Sequence, residues 1–436
     1  MFKQRGRKYS FTVNDLDASE SVAPEQGRPR ILMSAFACEP GRGSEQEVGW
    51  RWALEMSRWF DVTVITQTRN RPGIERELNK GLPDGRSLQF EYFQLAEPIY
   101  RMKSRFDSLT WPYYAIWQWA MLRTARRLHT EKPFVLAHHV TFVSFRIPIW
   151  LKKLGLPVVF GPVGGADKAP FNLLGRGFGL GIRCKEIVRN VMTDIGAVVI
   201  RLFPPLAKRQ GICLGATPSM AKIFQRLNFP HDLFPAIGID LAAQLEDSPT
   251  PSEKIKYLFV GRFHPLKGTH LLLEAFACAK VDGAQLTVVG GGADEDRLLK
   301  LADQLGIAKQ ITWTGKLPRK NLLSYYQNHD VLIVPSLYES GGLVALEAMA
   351  QGVPAIVLDV GGHSVSVTDG CGVKVSPEGD VDQVIRRLAE AMRDYTDDPG
   401  RIAADGQRAY DRIANEYDWS HKALRMKDIY AQVTTH

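Results

Sequence analysis

Residues 330–359 read DVLIVPSLYESGGLVALEAMAQGVPAIVLD. The run DVLIVPS (330–336) is short and apolar, as a strand buried on both faces must be. A glycine pair then opens GGLVALEAMA, which predicts a helix, and PAIVLD (354–359) follows as another strand. Strand, helix and strand in that order make a parallel unit, because a parallel neighbour needs a crossover and not a hairpin. Upstream the alternation continues through KYLFVGR (256–262), a helix near His270 to Ala279, QLTVVGGG (285–292), a helix from about Asp294, and QITWTG (310–315).

The first half shares this architecture and little of the sequence. It opens with ILMSAFA (31–37), the loop CEPGRGSEQE, a helix from about Val48 to Trp59 and DVTVITQ (61–67), and continues through PFVLAHH (133–139) and PVVFGPV (157–163). The expected fold is α/β, with two Rossmann-like, doubly wound domains facing each other across a cleft. Ligands of such sheets sit beyond the carboxyl ends of the strands, so the loops after Ala37, His139, Val260, Val289 and Ser336 are expected to line that cleft. The expected division is a polar, mobile tail at 1–29, a first domain at 30–240, a second at 241–415, and a terminal helical segment at 416–436. Trp419, Leu424 and Tyr430 of that segment are its expected packing residues.

With 436 residues and 45% hydrophobic content, each half has enough apolar material for its own core. No apolar run reaches the roughly 20 residues of a membrane span, and the first residues lack a signal peptide's apolar segment, so the cytoplasm is the expected location. Cys38, Cys184, Cys213, Cys278 and Cys371 are scattered without a C-x-x-C pair, which reads as small core residues and not as a zinc site or disulfide framework. The net charge of +8 is uneven: residues 1–240 hold 34 Lys+Arg against 21 Asp+Glu, and the remainder 21 against 26. A basic first half suits anionic lipid or phosphorylated acceptors. Without an RNP, zinc-finger or helix-turn-helix signature, nucleic acid is not expected as a partner.

Glu347 stands inside an otherwise apolar helix, where an ionised group requires polar partners, a ribose diol being one. Glu339 lies eight residues earlier. Between them Ser340, Gly341, Gly342 and Leu343 form the helix start, whose glycines expose backbone N–H groups suited to phosphate. Arg262 and Lys267, in GRFHPLKG, place two cations on the loop leaving the first strand of the second domain. A planar fork and a point charge there can neutralise a departing diphosphate. D-x-D matches at Asp15 to Asp17 and Asp294 to Asp296 are discounted as metal ligands, the first for lying in the tail and the second because acids stabilise a helix start. No metal or other cofactor is expected.

Together ESGGLVALEAMAQGVPAI, GRFHPLKG, TGKLP and DVLIVPS resemble family 4 of the retaining GT-B glycosyltransferases, over nearly all of residues 30–436. MSAFACEPGRGSE, HHVTF and GPVGGAD look like a bacterial subgroup associated with surface-polysaccharide assembly. The resemblance implies a GT-B fold and retaining transfer of a hexose from a UDP- or GDP-linked sugar, the acceptor hydroxyl attacking on the face the diphosphate leaves. It implies that Glu347 holds the nucleotide ribose, that Glu339 contacts the donor sugar, and that Arg262 and Lys267 bind the diphosphate. His139 matches a histidine that contacts the donor sugar's hydroxyls. Gly41 and Gly43 match a first-domain glycine loop near phosphate, and Gly164, Gly165 and Asp167 are either acceptor-side residues or a structural turn. The terminal helix is expected to cross back to the first domain, with a hinge near residue 415.

Residues 100–129 carry six basic residues, one acid and seven aromatics, with Thr110 and Pro112 marking a helix start and Arg123, Arg126 and Arg127 sharing a face. Phe171 to Arg209 is again basic and apolar. Such segments suit the inner surface of a membrane that carries a lipid-linked saccharide acceptor. Trp111, Trp117 and Trp119 fit the core of the first domain equally well. Other activities on the same scaffold are an epimerase, against which the acid pair with Arg262 and Lys267 argues, or a phosphorylase, whose cofactor-lysine motif is not found in the sequence. A different class is a catalytically silent partner that binds nucleotide sugar or lipid within an assembly complex.

Overall fold

A computed structural model of the chain describes residues 27–241, apart from 84, 203, 205 and 207–209, together with residues 254–435. Residues 1–26 of the expected tail, with the Asp15 to Asp17 motif, lie outside the described residues. The first domain runs β1 (Arg30–Ala35), α1 (Gly43–Met56), β2 (Asp61–Gln67), α2 (Arg71–Leu78), β3 (Ser87–Phe93), α3 (Glu97–Arg105) and α4 (Thr110–Glu131). It continues with β4 (Leu136–Thr141), β5 (Val158–Val163), α5 (Leu180–Leu202), β6 (Gly211–Gly215), α6 (Pro218–Arg226) and β7 (His231–Leu233). The second contains β8 (Lys256–Arg262), α7 (Thr269–Ala279), β9 (Gln285–Gly291), α8 (Glu295–Gln304), β10 (Ile311–Gly315), α9 (Arg319–Gln327) and β11 (Val331–Val334). After it come α10 (Leu343–Met349), β12 (Ala355–Leu358), α11 (His363–Ser366), β13 (Gly372–Val375), α12 (Val381–Asp397), α13 (Gly400–Arg412) and α14 (Trp419–Thr434).

The strands form two parallel sheets, ordered β3-β2-β1-β4-β5-β6-β7 and β10-β9-β8-β11-β12-β13. In each, the winding reverses direction at the first strand: β1 lies between β2 and β4, and β8 between β9 and β11. Loops that leave neighbouring strands at such a point diverge to opposite faces and leave a crevice. The expected Arg262 to Lys267 and Glu339 to Leu343 segments therefore come from the two strands that flank the second crevice.

Side chains alternate between faces with period two. Ile31 and Met33 pack with Trp52 and Trp419 in one layer, while Leu32 packs with Trp117 and Met121 in the other. In the second sheet Tyr257 and Phe259 face α7 and α12, while Leu258 and Val260 face α10. Strands buried on both faces must be apolar throughout, which is why their sequences read as continuous runs.

Several boundaries differ from the expectation. α1 starts at Gly43, earlier than Val48, because the glycine loop turns directly into it. Trp117 is fully buried, whereas Trp111 and Trp119 are about half exposed, so α4 uses its aromatics on both sides. Cys38, Cys213 and Cys371 are buried, but Cys184 and Cys278 are on the surface and are not core residues. A π turn at Ile413–Tyr417 lies where the hinge near residue 415 is expected, and the terminal helix starts after it at Trp419. Trp419 and Tyr430 are buried, and Leu424 is exposed.

Three segments tie the domains together. Ile239, in the linker, donates its N–H to Tyr417 O at 2.8 Å and accepts from Trp419 N at 3.2 Å. α14 then packs on the first domain: Trp419 meets Trp52 edge-on at 5.2 Å, and Tyr430 Oη is 2.6 Å from His138 Nδ1. In the other direction, Leu173, Leu174 and Phe178, from the loop after β5, are buried within the second domain's core. There Arg176 pairs with Glu274 at 2.7 Å and Asp382 at 2.8 Å.

Candidate functional site

The loop after β8 is shaped by Gly268, whose φ of +69° and closeness to the Pro335 carbonyl leave no room for a Cβ. That turn aims Lys267 at the next loop, where its Nζ lies 2.6 Å from Glu339 Oε2. Burial pushes the Glu339 carboxyl up, but Lys267, His363 and the Gly342 N–H together hold it below its usual range, so it is ionised. Arg262, at the end of β8, is exposed, and its guanidinium has no ion-pair or hydrogen-bond partner among the described residues.

The expected open N–H nest at Gly341 and Gly342 is modified. Gly342 donates to Glu339 Oε1 at 3.3 Å, so the carboxylate itself occupies the start of α10. Gly341 packs against Ile237 of the linker. Ser340 is exposed and Leu343 half-buried beside them.

Glu347, on α10, already has partners from the protein. Arg319 approaches its Oε1 at 2.7 Å and Tyr326 donates to Oε2 at 2.9 Å. The carboxylate therefore does not depend on a ligand for its charge to be tolerated, which corrects the sequence argument about it. It still lines a cleft of about 350 Å³ together with Gly41, Glu47, the linker residues Ile237 to Asp240, and Trp419. Gly41 and Gly43 both have φ near +70°, at +70° and +73°. Glu45, in the first turn of α1, accepts Phe142 N–H at 2.7 Å and ties the helix start to the end of β4.

His139 is not at the cleft surface. It is 1% exposed, its Nε2 is 2.6 Å from Tyr114 Oη, and its ring stacks between Tyr114 and Phe160. Burial first, and then His138, lowers its pKa to about 3, so it is neutral. Consecutive residues of a strand face opposite layers, so His138 points the other way, to Tyr430 and to Gly161 O at 2.7 Å.

Asp167 is 5% exposed and accepts from Thr217 at 3.1 Å. A Cβ on Gly361 would come within 3.6 Å of Asp167 Cγ and overlap the Glu339 carbonyl, which places this first-domain acid beside the Glu339 loop. Burial raises its pKa against the hydrogen bonds from Ser219 and Thr217. Gly164, which bridges to Ser144, and Gly165 precede it, and Gly165 O accepts from Arg146 at 3.0 Å.

His363, Arg189, Tyr338 and Arg146 are neighbours that were not singled out from the sequence. His363 is fully buried between Glu339 and Gly342, neither ring nitrogen has a hydrogen-bond partner among the described residues, and burial lowers its pKa to about 4 against the pull of Glu339. Its only sequence signal is the Gly361-Gly362 turn after β12. Arg189 lies over the Tyr338 ring at 3.8 Å, and Arg146 shares Thr193 with it through a 2.5 Å hydrogen bond. Asp294 is held by Arg297 through two bonds of 2.6 and 2.5 Å, consistent with a helix-start acid.

The site can thus place two cations, an ionised acid and a second acid with its own hydrogen-bond partners around one crevice. Residues 242–408 match the family model described as glycosyl transferases group 1. A D-inositol 3-phosphate glycosyltransferase of Mycolicibacterium paratuberculosis is 38% identical over 176 residues, 39% of this chain and 38% of that one. The match spans about two fifths of that relative's length. Among solved structures, sucrose-phosphate synthase from Thermosynechococcus elongatus superposes with a TM-score of 0.59 at 19% identity, over 94% of this chain and 100% of that one. Anabaena HepE in complex with UDP gives 0.57 at 14%, over 92% and 100%. At these identities the likeness is one of fold. The parallel sheets of seven and six strands with flanking helices are the expected GT-B arrangement.

Proposed function

We propose that this chain is a retaining glycosyltransferase that moves a hexose from a UDP- or GDP-linked donor to a lipid-linked saccharide, in the assembly of a surface polysaccharide or related glycan. The observation that carries the reading is the Lys267 to Glu339 contact of 2.6 Å, with Arg262 at the start of the same loop and its guanidinium without a partner among the described residues. A diphosphate offers the anionic oxygens such a pair of cations would hold, and charge placed before the reaction stabilises the departing nucleotide most effectively. Glu339 orients Lys267 and contacts the donor sugar, and Glu347 receives the ribose at the edge of the 350 Å³ cleft. The departing phosphate oxygen takes the acceptor's proton, with no protein base and no metal required of these residues. The UDP held by HepE favours a nucleotide-sugar donor, and the relative's name is that of a glycosyltransferase. The family match at 242–408 leaves out the first domain, so the acceptor is argued from that domain's basic character and from Asp167 beside Glu339. The enzyme then works in the cytoplasm, peripherally on the inner face of the cell membrane.

A second reading, a partner that holds nucleotide sugar without transferring it, draws on the burial of His139 away from the cleft. Thermal-shift measurements with UDP, GDP and their sugars, combined with donor hydrolysis, separate the two. Stabilisation by UDP or GDP that Glu347→Ala abolishes, with hydrolysis lost in Glu339→Ala, supports the transferase. Stabilisation without turnover of any donor supports the silent partner, and no shift at millimolar nucleotide sinks the site.

A further inference from the structure

α5 is amphipathic in the wrong sense for a surface helix. Its buried side carries polar groups: Glu186 pairs with Arg189, Asn190 reaches Ala169 O at 3.4 Å, and Thr193 accepts from Arg146. Its solvent side carries Ile187, Val188, Val191, Ile195, Val198 and Leu202, each exposed, with Val188 at 60% and Leu202 at 68%. These positions recur at intervals of three and four, so they form one stripe along a helix of 23 residues. Monomeric proteins rarely leave so continuous an apolar strip in water.

We infer that this stripe lies on an anionic bilayer surface. No helix among the described residues is long and apolar enough to cross a membrane, so the helix would rest in the interface. The charges flanking the stripe fit that occupant: Arg183, Lys185 and Arg201 are exposed near its two ends. The exposed acid within it, Asp194, is neutralised by Lys168 at 2.6 Å. A second copy of α5 laid along the first would bring cations against cations in either direction, whereas acidic headgroups meet them favourably. The buried polar face of the same helix reaches Tyr338, next to Glu339, through Arg189. A membrane-seated α5 would therefore hold the cleft's first-domain wall at headgroup level. The inference rests on the lipid-linked acceptor proposed above.

The test is co-sedimentation of the full chain with vesicles of phosphatidylcholine alone or containing phosphatidylglycerol. Binding is expected to the anionic vesicles, to weaken in high salt, and to fall at least tenfold in the combined Val188→Glu, Val191→Glu and Ile195→Glu variant. Thermal shift with nucleotide checks that this variant is folded, and donor hydrolysis without vesicles tests the transferase reading separately. Absence of vesicle binding, or binding unchanged in the variant, overturns the inference. So does a dimer seen by light scattering that the same substitutions dissolve, since the stripe would then be covered by a second copy.

Discussion

Lys267 and Glu339 illustrate what a single pair controls. The carboxyl is mostly buried, and burial alone would raise its pKa; Lys267 is the largest of the opposing influences. Lys267→Ala should therefore do two things. Transfer should slow by roughly 10²- to 10³-fold, the scale of losing one preorganised charge stabiliser. The acid limb of the pH–rate profile should also move to higher pH, because Glu339 loses the cation that keeps it ionised. A slow variant with an unshifted profile would show that Lys267 acts on the donor alone. Each residue stood out in the sequence because it sits in a short motif bounded by glycines, whereas their contact with each other did not. The partners of Glu347 were not, since Arg319 and Tyr326 come from α9, which neighbours α10 only after the sheet has folded. The His138-His139 doublet contained the clue to its own fate: in a strand with both faces buried, two adjacent histidines must enter two different cores.

The linker and the turn before α14 show how closely an element can be specified by one contact. Gly238 lies against Trp419, and a Cβ built on it would stand 2.6 Å from the indole. Trp419 cannot yield easily, being packed on Trp52 and on Arg51 at 5.6 Å. Gly238→Ala is expected to destabilise the protein by about 1–3 kcal/mol, the usual cost of overpacking, and to weaken nucleotide binding, because both residues line the cleft with Glu347. Chemical denaturation and nucleotide thermal shift measure the two effects, and a fully stable variant with normal nucleotide affinity would refute the coupling. The strand and helix order was readable from apolar periodicity. The hinge expected near residue 415 came from the resemblance alone, because Ile413–Tyr417, where the structure has a π turn, keeps helical periodicity and only the width of the turn changes.

For the whole molecule, buried neutral imidazoles set the response to acid. Burial lowers the pKa of His138 to about 4, His139 to about 3, His270 to about 4 and His363 to about 4. An unfolded histidine titrates near 6.5, so as the pH falls the unfolded chain binds these protons first. Stability is then complete above about pH 6.5 and is lost on acidification towards pH 4, by ~1.4 kcal/mol per pH unit for each histidine. The depressed Glu339 acts in the same direction, since its stabilisation is lost on protonation. Melting temperature should fall steeply between pH 6.5 and 5, and His363→Asn should reduce that slope. A flat profile would mean these rings find water or partners on protonation. With two such histidines in each domain, both halves weaken together.

The clasp formed by Leu173, Leu174, Phe178 and Arg176 has a kinetic meaning. The linker and the π turn are hydrogen-bonded to each other and act as one pivot, and the clasp is a further tie between the two bodies, beside the Arg189–Tyr338 contact and the Asn172 bonds to Pro377 and Gly379. Swinging them apart would wet three large apolar side chains at about 1.5–3 kcal/mol each and break two ion pairs. Departure of spent nucleotide would then be timed by a thermally activated latch, and the speed of each cycle would be set some distance from the bond being made.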